Sequence, residues 1–125
     1  MRTIPILLAL PLLLAGCATT APALVDSEWR ITAIDGAPPV GEATLAFRAE
    51  RLVASAGCNR LGGAWREEAG KLVVGPLMAT RMFCEGKMEQ ERALNDLLSA
   101  EPAVARSGDR LTLKTTAHSV EAVRK

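Results

Sequence analysis

Few side chains in this sequence can do chemistry. There are three cysteines, Cys17, Cys58 and Cys84, and one histidine, His118. A thiol beside an imidazole can make a nucleophile and base, and with further ligands the pair can hold zinc. Here zinc would have Cys58, Cys84 and His118 at best, and their spacing matches neither CxxC nor HExxH. No nucleophile elbow is present, and residues 57–63 (GCNRLGG) lack the GK[ST] of a phosphate-cradling loop. His118 falls between two expected strands and reads as a solvated turn residue. The reading assigns no catalytic residue, no metal and no cofactor.

Glu91 is the acid in the least expected place. On a helical projection it lies between Met88 and Leu98, inside an apolar stripe. A carboxylate there is costly unless paired. Arg81 and Arg60 are the candidate partners, because a guanidinium can hold a carboxylate with two hydrogen bonds. A structural ion pair, a wetter helix face and an acid with a perturbed pKa all remain open. Gly57 and Asn59 read as turn chemistry: glycine reaches backbone angles closed to other residues, and asparagine hydrogen-bonds its own neighbouring backbone.

The N-terminus is an address rather than part of a fold. It opens MRTIPILLALPLLLAGC, with Arg2 before an apolar run over residues 4–14. That run is shorter than the roughly 20 residues a membrane-spanning helix needs. It closes on Leu14, Ala15, Gly16 and Cys17, which resembles the bacterial lipobox. The expectation is a cleaved signal peptide over 1–16, a lipidated Cys17 carrying palmitate-type acyl chains, and a tether over 17–24. Two or three acyl chains anchor firmly where one does not. Ala18 stands where an aspartate would favour retention at the inner membrane, so the expected place is the outer membrane, with the domain facing the periplasm. In that oxidising compartment Cys58 and Cys84 are expected to form a disulfide; two buried free thiols are the alternative.

Charge excludes one class of partner. The chain has 15 basic and 14 acidic side chains, and loss of Arg2 with the signal peptide would balance them. Nucleic acid needs a basic footprint, so none is expected as a partner. Aromatics are Trp29, Trp65, Phe47 and Phe83, read as core rather than as stacking platforms.

The elements that must position these residues follow from periodicity. Apolar residues alternate with polar ones over 27–34 and 43–48, with a return strand at 51–56. Residues 57–63 are expected to form a bulge or irregular turn. Strands are expected near 64–66, at 71–74, and over 103–107, 110–114 and 119–124. One helix is expected over 85–100, ended by Glu101 and Pro102. Many short antiparallel strands and one helix make an α+β domain: a small sheet or barrel-like curl with the helix packed on it.

Three segments carry a family resemblance. They are Ala56-Gly57-Cys58-Asn59-Arg60 with Gly62-Gly63, then Met78-Ala79-Thr80-Arg81-Met82-Phe83-Cys84, then Met88 and Glu91 ahead of Leu94, Leu97 and Leu98. With the Trp29 strand before and Leu111-Thr112-Leu113 after, the whole of 25–125 resembles the META domain family of HslJ-like lipoproteins. The resemblance implies a compact antiparallel domain with a packed helix, an envelope location, an association with stress responses, and no settled enzymatic activity. Gly57, Asn59, Arg60, Thr80, Arg81, Met82 and Glu91 become candidate structural or binding positions on the same ground. The expected function is a lipid-anchored, non-catalytic envelope protein that binds or stabilises an unidentified envelope protein or ligand. A small inhibitor of a periplasmic protease or lysozyme, contacting its target through 57–63, is the alternative.

Overall fold

The computed structural model describes residues 23–125. The expected signal peptide, Cys17 and the tether up to residue 22 lie outside the described residues.

Alternation builds the strands. In β1 (Ser27–Ile34) Ser27, Trp29 and Ile31 point inward and Glu28, Arg30 and Thr32 outward. β2 (Thr44–Phe47) and β3 (Arg51–Ser55) follow as a hairpin, burying Leu45, Phe47, Leu52 and Ala54. β4 (Arg60–Glu68) pairs with β3 along its first half and with β5 (Lys71–Val74) along its second. β6 (Met78–Ala79) continues the line of β5 along β4. After the helix α1 (Met88–Ser99) come β7 (Ala103–Ser107), β8 (Arg110–Lys114) and β9 (Ser119–Arg124), and β9 returns to β1. Taking β6 with β5, the antiparallel ring closes as an eight-stranded barrel.

The weakest seam lies between β5 and β7, which share the single register pair Lys71↔Ala103. Two backbone bonds supplement it, Leu72 N–H to Pro102 O at 2.9 Å and Val104 N–H to Gly70 O at 2.8 Å. Arg106 on β7 also grips the Glu67 carboxylate with two N–H groups, at 2.5 and 3.3 Å. α1 packs against β5 and β1 and seals the barrel with Ala93, Leu94, Leu97 and Leu98. Beside them the barrel encloses Trp29, Phe47, Leu72, Leu111, Leu113 and Val120. Trp29 donates its indole N–H to the buried Ser27 hydroxyl at 2.7 Å, so its one polar atom is satisfied. Trp65 sits edge-on to Phe47 with centroids 4.9 Å apart.

Three expectations need correction. β4 starts at Arg60, so the second half of the expected irregular turn is strand. Gly63 is there for close approach, since a Cβ on it would stand 3.2 Å from the Pro76 carbonyl oxygen, whereas one on Gly62 would meet only the movable end of Arg51, at 2.6 Å. The helix begins at Met88 rather than 85, because Gly86 has φ +78°, outside the right-handed helical region. Phe83 is 81% exposed and does not belong to the core.

Candidate functional site

The loop between β3 and β4 turns at Gly57, whose φ of +92° suits glycine. Space is also short, since a Cβ there would approach the Val40 carbonyl oxygen to 3.2 Å. Cys58 follows and is joined to Cys84 by a disulfide. Asn59 comes next and is only 2% exposed. Its side-chain oxygen accepts from the Met82 backbone N–H at 2.7 Å and the Thr80 hydroxyl at 2.9 Å. Its amide nitrogen donates to the Met82 carbonyl at 2.9 Å and to Glu91 Oε2 at 3.0 Å. The amide therefore uses both donors and both lone pairs, and only one orientation fits.

Glu91 corrects the sequence reading. Its carboxylate takes two N–H groups from Asn59: the backbone N–H at 2.8 Å on Oε1 and the side-chain amide on Oε2. Among the described residues neither Arg60 nor Arg81 forms an ion pair with it or with any other acid. Both guanidinium groups are exposed. Neutral amide donors satisfy the acid because the β3–β4 loop runs directly against the first turns of α1. Lys87 and Gln90 reach the same loop. Lys87 Nζ donates to Gly57 O at 3.2 Å, and Gln90 Nε2 donates to Ala56 O at 2.5 Å and Val40 O at 2.9 Å. Val40 N–H returns a bond to Gln90 Oε1 at 2.9 Å. Lys87, Gln90 and Glu91 are spaced i, i+3, i+4, which places them on one helix face. That spacing was the available signal for Lys87 and Gln90, which sequence reasoning missed.

These bonds clamp residues 80–84 onto the barrel rim. Thr80 N–H donates to Arg60 O at 3.2 Å, while Arg60 N–H donates to Thr80 Oγ1 at 3.1 Å. The clamp holds backbone and leaves large apolar side chains outside: Met78 is 73% exposed, Met82 57% and Phe83 81%. The segment borders two faces, with Ala79, Thr80 and Met82 on the boundary between them. Met78, Thr80 and Met82 border depressions on the outer wall of the barrel, of 440 and 710 Å³, which share Val53, Arg60 and Thr80. Leu77, Arg81 and Phe83 border a groove of 540 Å³ whose other wall is α1, with Met88, Arg92 and Asn95.

Residues 57–63 do not form a free contact loop. Asn59 and Leu61 are buried, Gly62 and Gly63 lie in β4, and Arg60 is the member most open to solvent. His118 is also more than a solvated turn residue. Its Nδ1 lies 2.8 Å from Asp35 Oδ2, and Asp35 Oδ1 accepts the Ser119 N–H at 2.9 Å. The Ser119 N–H, aided by the His118 ring, holds the Asp35 carboxyl below its ordinary value against the opposing effect of burial. No hydroxyl bonds the other ring nitrogen among the described residues. Nor do the described residues contain a cluster of three or more His, Cys, Asp or Glu able to hold a metal.

Residues 22–125 match the sequence profile of the META domain. The chain belongs to the META domain family. Its domain superposes on the NMR structure of a protein from Burkholderia xenovorans with a TM-score of 0.66 at 22% identity, covering 85% of this chain and 92% of that one. A second NMR structure gives 0.70 at 21% identity, covering 78% and 88%. At such identities the likeness shows that these chains share the META domain's fold and nothing finer. No curated protein matches the chain.

Proposed function

We propose that this META domain is a lipid-anchored, non-catalytic protein of the bacterial cell envelope, and that segment 77–83 is the surface with which it binds an envelope component. One observation carries the reading: Met82 and Phe83 stand exposed on a backbone held by the disulfide and the Asn59 bonds, and Met78 stands exposed beside them on β6, paired to β4. Exposed apolar clusters of this kind mark contact sites. A surface already ordered loses little conformational entropy on binding, which favours affinity. The leader supports the location, since a signal-peptide pattern ends in LAGC with Ala18 following Cys17. Outer-membrane attachment and a role in stress response belong to the proposal. Inhibition of a periplasmic enzyme is the weaker reading, because the loop it relied on is engaged within the fold.

The test is site-specific photocrosslinking in growing cells. A photoreactive residue at Phe83 is expected to give a discrete adduct, to protein or lipid, while the same residue at exposed Asp96 on α1 gives none. Equal labelling at both positions, or none at either, contradicts the proposal.

A further inference from the structure

We infer that the component met by segment 77–83 is the phospholipid surface itself, so that the domain lies with the outer wall of β3, β4 and β6 against the membrane that anchors it. The inference rests on the lipid anchor at Cys17 proposed above.

Reach is the first argument. The register runs Ser27↔Phe47, Phe47↔Leu52 and Leu52↔Gly63, and Met78 pairs with Gly62, the neighbour of Gly63. Met78 therefore stands level with the start of β1, four strand spacings away around the wall. At about 4.8 Å each, that is about 19 Å along the curved sheet. The seven peptide steps from Cys17 to the buried Leu24 can extend to about 25 Å. With Met78 on the bilayer, the start of β1 is within the tether's span of the same bilayer. Anchor and face can engage one membrane together.

Charge is the second. On this wall Arg48 is held by Glu28 at 2.5 Å, and Glu42 by Lys125 at 3.4 Å. Arg51 and Arg60 have no carboxylate partner among the described residues. The Arg51 guanidinium lies over Gly62, in the space a side chain would fill, and Arg60 lines both depressions. Two unpaired guanidinium groups beside Met78 and Met82 match the layered chemistry of a bilayer surface. Phosphate oxygens accept guanidinium N–H groups, and the acyl boundary below accepts thioether side chains.

The test uses the full lipoprotein extracted from its membranes and carrying Met78→Trp, a position that is 73% exposed on this wall. It is reconstituted into vesicles of phosphatidylethanolamine and phosphatidylglycerol with brominated acyl chains. Wild type supplies the baseline, since Trp29 is buried and Trp65 partly so. The emission added at position 78 is expected to be mostly lost to bromine quenching. Arg51→Glu with Arg60→Glu, checked for an unchanged melting temperature, is expected to restore much of it. Partition into vesicles with no quenching of the added emission overturns the inference and leaves the anchor standing. No partition overturns both. A blue shift in native membranes without quenching by bromolipid places a protein on this face and also overturns it. Quenching that survives the double charge reversal removes Arg51 and Arg60 from the contact and overturns the assignment of this wall.

Discussion

Asn59 holds the Glu91 carboxylate twice, once with its backbone N–H and once with its side-chain amide, while the rest of that amide grips Met82. One buried asparagine thus joins the β3–β4 loop, the helix and the exposed segment. A buried polar group deprived of its partner loses the full cost of its desolvation. Glu91→Gln puts an N–H where Asn59 needs an acceptor and should cost about 1–3 kcal/mol in denaturant unfolding. Glu91→Ala and Asn59→Ala should be strongly non-additive in a double-mutant cycle, as groups in one network are. Arg81→Met and Arg60→Met should each shift stability by no more than about 0.5 kcal/mol and add to Glu91→Gln without coupling. Coupling of Glu91 to Arg81 would contradict the geometry.

The disulfide closes a chain separation of 26 residues around β4, β5 and β6. Cys58→Ala with Cys84→Ala should lower unfolding free energy by about 3–4 kcal/mol on the chain-entropy account. Guanidinium titrations with and without reductant measure it. A wild type indifferent to reductant would contradict the role given to this link.

Gly62 and Gly63 should respond differently to alanine. The atom nearest a Cβ on Gly62 is the mobile end of Arg51, whereas Gly63 faces the backbone oxygens of Pro76 and Gly75 at 3.2 and 3.3 Å. Gly63→Ala should destabilise by about 1–3 kcal/mol, as overpacking does. Gly62→Ala should be near neutral, since the side chain can move aside and the unfolded chain loses freedom. Equal melting temperatures for the two variants would count against the close approach.

Asp35 predicts a pH dependence. Its folded pKa lies below the ordinary 3.8, so its contribution is present above that value and is lost as pH falls through the folded value. Asp35→Asn removes the charge while keeping an acceptor for Ser119 N–H, and asparagine tolerates the φ of +52° found here. The variant should be less stable than wild type at neutral pH, with the gap closing as pH falls below the ordinary 3.8 and through the lowered folded value. A gap that persists or widens in acid would contradict the sign.

Much of the fold was legible in the sequence because one-sided burial writes itself as alternation. The expected strands at 27–34, 71–74, 103–107, 110–114 and 119–124 coincide with β1, β5, β7, β8 and β9. β4 was hidden at its start because Gly62 and Gly63 remove the side chains that alternation reads. The site was legible only in part. Glu91 stood out as an acid in an apolar stripe, but its partner was not. Half of what satisfies it is a backbone N–H, which every residue type but proline carries. The exposure of Phe83 was equally hidden, because an aromatic residue does not record which side of the chain faces solvent.

The most direct test is the intact mass of the protein extracted from native membranes, with thiol alkylation before and after reduction. The account predicts loss of residues 1–16, added acyl mass at Cys17, and two thiols that label only after reduction, those of Cys58 and Cys84. A chain without lipid, or with both thiols open to label from the start, would contradict an anchored protein in an oxidising envelope compartment.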